Sequence, residues 1–150
     1  MIIETVALQN IDEAARIHSV SWQESHRCFC AEDFVRAHTP EHQKGYLLAK
    51  MQHGTKVYML RDEVHVAVVS VTGSLIEDLY VLPEYQCRGY GTQLLQWAVS
   101  CCEGTPSLWI LHNNDRARRL YERYGFRETG NVHWLNKELS EIELSLKTGE

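Results

Sequence analysis

An apolar strand, Ser74 to Leu82, is closed by Pro83 and runs into the turn Gln86, Cys87, Arg88, Gly89, Tyr90, Gly91, from which an apolar helix starts near Thr92. No other stretch narrows the fold so much. Glycines in such a turn take positive φ and admit a ligand close to the backbone, so several N–H groups point at one place. The helix adds its own unpaired N–H groups and the positive end of its dipole, a combination suited to a pyrophosphate. The spacing excludes a P-loop, whose glycines lie further apart and precede a Lys-Ser/Thr pair. It also excludes a dinucleotide fingerprint, because Tyr90 to Leu95 lacks the third glycine. Taken alone, the turn is equally compatible with ordinary loop chemistry.

The neighbouring elements supply the context. A first strand, Ile2 to Leu8, leads to Asn10, placed to cap a helix that runs to about Arg27, with Glu13 positioned to complete a capping box. Ile11, Ala14, Ala15, Ile17, His18 and Trp22 recur along it at helical spacing. Cys28 to His38 reads as irregular. Thr39 caps and Pro40 opens a second helix that stops near Gly54. Lys56 to Arg61 pairs with Val64 to Val71 through a turn at Asp62 and Glu63, and Ser74 to Leu82 follows Gly73. Beyond the glycine turn come a helix to Cys102, a strand from Ser107 to His112, and a helix over Asp115 to Tyr124 stopped by Gly125. Strands at Arg127 to His133 and Glu141 to Lys147 close the chain. This order predicts an α+β architecture, a central mixed and mostly antiparallel sheet with helices on both faces. At 150 residues the chain is expected to form one domain over 1–150. Such a chain buries roughly 70% of the surface its unfolded form exposes.

Charge and cysteine usage narrow the partners. A net charge of −5 argues against a sequence-independent grip on nucleic acid and favours a cationic or neutral acceptor. No apolar run is long enough to span a membrane, and Met1, Ile2, Ile3, Glu4 lacks the basic lead of a signal peptide, so a cytoplasmic protein is expected. Cys28/Cys30, Cys87 and Cys101/Cys102 show no Cys-x-x-Cys spacing and read as reduced thiols. His38 and His42 have the separation of metal ligands, but Pro40 lies between them where a helix begins, and no metal is expected.

Three features together resemble a known family. The first is Leu79, Tyr80, Val81, Leu82, Pro83, Glu84, Tyr85 running into the glycine turn. The second is Asn114, Asp115, Arg116, Ala117, Arg118, Arg119, Leu120, Tyr121, Glu122, followed by Tyr124, Gly125 and Phe126, similar to an Asn-x-x-Ala-x-x-Leu-Tyr-Glu-x-x-Gly-Phe pattern. The third is the element order. On these features the chain resembles the GNAT superfamily of acetyl-CoA-dependent N-acetyltransferases. The resemblance implies acetyl-CoA as cosubstrate and no metal. It implies acetyl transfer to a primary amine by direct attack in a ternary complex, with a small-molecule amine as acceptor. Acetylation of a protein N-terminus or lysine, or a non-catalytic acyl-CoA sensor, are the alternatives, and a homodimer is left open. The resemblance further implies a cofactor site made of Leu79, Tyr80, Val81, Gln86, Cys87, Arg88, Gly89, Tyr90, Gly91, Thr92, Asn114, Ala117 and Tyr121. In it the backbone of Leu79 and Val81 pairs with the pantetheine arm as another strand would, Asn114 bonds the pantetheine region, and Tyr121 protonates the leaving thiolate. Cys87 stands where the family often has glycine; a small residue serves there if its φ is negative.

Chemistry supports the same residues. An alkylamine of pKa near 10.4 is only about one part in 2,500 neutral at pH 7, equivalent to roughly 4.6 kcal/mol, so a base must take its proton. Glu77 and Asp78 interrupt an otherwise apolar strand. Either one faces solvent or pairs with an arginine, or Glu77 is the base, acting through water, while Asp78 holds a cationic acceptor. Adjacent strand residues point to opposite faces, so both reach one site only through a bulge. Asn114 and Tyr121 share a helix face with about 10 Å of rise between them. A phenol of pKa near 10 is a plausible donor to an alkyl thiolate; a core tyrosine is the other reading, and Tyr124 is a lesser candidate. Arg116, Arg118, Arg119 and Arg123 form either a solvated face or a contact for the 3′-phosphate of CoA. By resemblance, Trp22, His26, Phe29 and Phe34 belong to the acceptor region, with Trp22 a substrate contact, core packing being the alternative; Val132, His133 and Trp134 divide the same way.

Overall fold

The computed structural model describes residues 1–28 and 30–146. Strands β1 (Ile2–Thr5), β2 (Lys56–Asp62), β3 (Val64–Thr72), β4 (Leu75–Val81), β5 (Ser107–Leu111), β6 (Phe126–Trp134) and β7 (Ser140–Leu146) form one seven-stranded sheet in the order β1-β2-β3-β4-β5-β7-β6. All neighbours are antiparallel except β4 and β5. The helices are α1 (Ile11–His26), α2 (Glu32–Arg36), α3 (Pro40–Gln52), α4 (Tyr90–Cys101) and α5 (Asp115–Tyr124). The expected mixed sheet is therefore present.

Helices cover both faces of β2 and β3, which explains why those strands read as continuous apolar runs rather than alternating ones. Tyr58 and Leu60 enter the cluster that holds Leu94, Leu95, Leu108, Phe126 and Leu144. Val57 and Met59, pointing the other way, pack with Ile11, Ala14, Ile17 and Leu47. At the crossover from β4 through α4 to β5 the two parallel strands share a single register pair, Leu75 with Ser107, and then part.

Local chemistry changed three expected features: one strand end, one helix cap and one stretch read as irregular. β1 ends at Thr5 instead of Leu8, because the Asn10 carboxamide accepts from Ala7 N (2.7 Å) and donates to the Thr5 carbonyl (3.2 Å), folding the intervening residues into a turn. That use removes Asn10 from capping: α1 has no side-chain cap, and Glu13 pairs with Arg16 at 2.6 Å instead of closing a box. Within the stretch expected to be irregular, α2 forms over five residues with Val35 alone buried, too short for any apolar period to register. Thr39 does cap α3, its hydroxyl accepting from His42 N at 3.1 Å. Phe29 and Lys147 lie outside the described residues.

Candidate active site

The gap between β4 and β5 opens into a cavity of about 1150 Å³. Along β4, Val68 pairs with Tyr80 and Ser70 with Glu77, so β4 takes three steps where β3 takes two. The extra residue is a bulge, and Asp78 sits in it at φ +55°. This distortion brings Glu77 and Asp78 to one side. Glu77 Oε1 lies 2.6 Å from Lys50 Nζ, and Asp78 Oδ2 accepts from the Tyr46 hydroxyl at 2.8 Å with Lys50 Nζ at 3.9 Å. Both carboxylates border the cavity. Asp78 Oδ1 has no hydrogen-bond partner among the described residues.

Burial alone would raise the Asp78 carboxyl, but His18, the Tyr46 hydroxyl and the Lys50 ammonium outweigh it and hold its pKa below the ordinary value. Asp78 therefore keeps its charge. Burial, and then the nearby Asp78 charge, push the Tyr121 phenol well above its ordinary value. Tyr121 thus stays protonated at any working pH, with less readiness to release its proton than a free phenol. Its hydroxyl makes no hydrogen bond to the described residues, and its ring packs edge-on to Phe126 at 5.9 Å.

At the far end, Cys87 has φ +64° and Gly89 φ +87°, while Arg88 between them does not have positive φ. Alternation of hand along the backbone makes a nest, in which successive N–H groups line one concavity, and α4 begins there. The condition of a negative φ at Cys87 is therefore not met: the nest holds a left-handed residue at that position, which costs a non-glycine roughly 1 kcal/mol. Cys87→Gly is expected to unfold in urea with stability equal to the parent or up to about 1 kcal/mol higher, the relief being offset by glycine's greater unfolded-chain freedom. A loss of stability would show that the Cys87 side chain contributes, for instance through Arg116, whose guanidinium donates to its Sγ at 3.1 Å.

Other expected site residues fall as follows. Leu79, Tyr80, Val81, Gln86, Cys87, Gly89, Tyr90, Gly91, Thr92, Asn114, Ala117 and Tyr121 border the cavity. The Arg88 side chain does not; it lies over the Tyr85 ring at 5.4 Å. Leu82 N donates to the Val66 carbonyl, so by antiparallel alternation the main-chain groups of Val81 and Leu79 turn toward the gap. Gln86 Nε2 already donates to the Val81 carbonyl at 3.1 Å. Asn114 caps α5, its Oδ1 accepting from Ala117 N at 3.1 Å, which leaves Nδ2 for other use. Tyr124 packs beside Phe126 and does not border the cavity. Trp22 and His26 do, but His26 and His38 stack on Trp22 with centroids at 3.9 and 3.5 Å. Two parallel rings that close must occupy opposite faces, so Trp22 offers a ligand only its edge. Among the arginines, Arg116 and Arg123 border the cavity, whereas Arg118 pairs with Glu128.

Tyr46, Lys50 and His18 were not anticipated as site residues. Tyr46 and Lys50 are four apart on α3, a spacing that places them on one face, yet nothing in the sequence says that this face meets the bulge. His18 carried a signal, a histidine inside the apolar stripe of α1.

A divided parallel pair, a bulged strand bearing two carboxylates and a nest at the head of α4 define an acyl-transfer fold. The acetyltransferase (GNAT) domain family matches residues 24–128, and the chain belongs to it. One relative is the uncharacterized N-acetyltransferase YhfO of Bacillus subtilis (strain 168), 31% identical over 114 residues that cover 69% of this chain and 73% of that protein. The PaiA N-acetyltransferase of Thermoplasma acidophilum, solved in complex with coenzyme A, superposes with a TM-score of 0.70 at 15% identity, covering 97% of this chain and 99% of that one. YncA of Salmonella typhimurium, solved with its cofactor acetyl-CoA, gives a TM-score of 0.70 at 17% identity over 99% and 94% of the two chains. At these identities the structural likeness is one of fold.

Proposed function

We propose that the protein transfers the acetyl group of acetyl-CoA to a small primary amine by direct attack in a ternary complex. One observation carries this reading: a single gap runs from the nest at Cys87 to Gly89, past Tyr121, to the two carboxylates of the β4 bulge. Bound there, acetyl-CoA supplies a thioester carbonyl. The nest and the first turn of α4 hold its pyrophosphate, with Arg116 and Arg123 as nearby cations. The outward main-chain groups of Leu79 and Val81 take the pantetheine arm as a strand, and Asn114 Nδ2 donates to it. Asp78, kept ionised, attracts the acceptor ammonium through Oδ1. Glu77 takes the ammonium proton through water, and its Lys50 partner keeps the carboxylate in place. Tyr121 donates to the sulfur as negative charge develops on it.

Release of CoA thiol from acetyl-CoA in the presence of a primary-amine panel tests the reading. Amine-dependent release is expected, and acetyl-CoA binding without release for any amine would favour an acyl-CoA sensor. Acetylation confined to peptide amines would replace the small acceptor with a protein. Glu77→Gln is expected to make kcat/KM climb more steeply with pH than in the parent, since the amine must then lose its proton unaided. An equal fractional loss at every pH would assign Glu77 to binding or folding.

A further inference from the structure

Behind Asp78 lies a polar line that the proposed reaction leaves unused. His18 on α1 is 1% exposed, and its Nε2 is 3.6 Å from Asp78 Oδ2 with no hydrogen-bond partner among the described residues. His18 Nδ1 lies 2.6 Å from Nε2 of Gln43, which is 2% exposed. The Gln43 Oε1 in turn lies 2.7 Å from Nδ1 of His42, an exposed residue in the first turn of α3. Donor and acceptor types fix the protons. An amide oxygen only accepts, so His42 Nδ1 carries hydrogen. An amide nitrogen only donates, so His18 Nδ1 is bare and the ring hydrogen sits on Nε2, aimed at the carboxylate.

If the Gln43 amide turns over, every direction reverses. Its oxygen then requires a proton on His18 Nδ1; with Nε2 keeping its own opposite Asp78, the ring takes up one proton from solvent and becomes an imidazolium, while His42 presents a bare Nδ1, its hydrogen moving to Nε2 of the same ring or to solvent. Rotation of one buried amide therefore couples the charge beside Asp78 to the state of a surface histidine. We propose that His18 positions Asp78 for the acceptor, and that the Gln43 amide, joined to His42 at the surface, sets the charge on His18. This rests on Asp78 being the acceptor anchor. Tyr46 and His18 both face Oδ2, Asp78 borders the cavity, and Oδ1 is left without a hydrogen-bond partner among the described residues. A neutral His18 leaves the full carboxylate charge to a cationic amine, whereas an imidazolium competes for it. The other groups around His18 are Tyr46 and Tyr80, whose rings lie 5.5 and 5.1 Å away, with Lys50, Glu77 and His26 beyond.

Ring-nitrogen NMR on ¹⁵N-histidine protein, without acceptor or acetyl-CoA, is the test. At pH 8 the parent is expected to show His18 with bare Nδ1 and protonated Nε2. Gln43→Glu, which can only accept, is expected to show both nitrogens protonated at that pH. Protonated Nδ1 with bare Nε2 in the parent, or an unchanged His18 signal in Gln43→Glu, overturns the proposal. The Asp78 side-chain carboxyl carbon gives a second readout: its titration is expected to move up in His18→Leu and by less in His18→Gln, which retains an N–H toward Asp78. Equal titration in both variants and the parent also overturns the proposal. Both signals are independent of acetyl transfer, so a failure of the His18–Gln43 arrangement is read separately from an absence of activity, which would overturn the proposed function and with it the acceptor role of Asp78.

Discussion

Tyr121→Phe is expected to lower kcat about 10²-fold while the KM for acetyl-CoA stays within about threefold. The hydroxyl has no hydrogen bond to lose among the described residues, and phenylalanine fills the same space against Phe126. Fold stability should therefore change little. What is removed is an interaction proposed to exist only as the sulfur takes on charge, and such a loss falls on kcat and kcat/KM together. Because burial and the Asp78 charge hold the phenol above its ordinary value, it enters the reaction protonated. Steady-state kinetics in both substrates, with a melting curve for each protein, checks this. Unchanged kcat would remove Tyr121 from the acid role, and a large fall in melting temperature would move its importance to the core.

Asp78→Asn is expected to reduce kcat/KM for amines that are cationic at pH 7 by roughly 30-fold or more, chiefly through acceptor KM, since truncating one partner of a buried charge pair costs about 2 kcal/mol or more. Asparagine suits the position: it tolerates the left-handed φ of +55° that the bulge requires, so the backbone is preserved. The carboxyl is held below its ordinary value, so its stabilising share is complete above about pH 4 and is lost as pH falls through the lower folded value. The stability gap between parent and variant should accordingly narrow in acid. Amine-concentration series at fixed acetyl-CoA, beside acid unfolding curves, would show both effects. Equal kinetics would leave Asp78 as a purely structural partner of Tyr46 and Lys50.

Much of this was legible because local rules and tertiary demands agreed. Thr39 with Pro40, Gly125 after α5 and the apolar runs of β2 and β3 place their elements through capping, φ and burial, which single residues encode. Glu77 and Asp78 stood out because charges inside an apolar strand require a reason, and their adjacency called for the bulge that β4 carries. What could not be read depended on meetings between distant segments. Lys50 and Tyr46 become site residues only because α3 packs where β4 is distorted, and Trp22 loses its free faces only because His26 and His38 close on it. Cys87 misled for a different reason: a residue's type states a preference for φ, while a nest sets its hand regardless.

The lone register pair between Leu75 and Ser107 gives the molecule an unusual mechanical character. Past that point the strands on either side are two half-sheets sharing one stitch, and the seam between them is left as unpaired β-edge. On the proposed binding mode the pantetheine arm lies along that seam. The cosubstrate would then be a temporary piece of secondary structure, and each turnover would lend the sheet a strand and take it back.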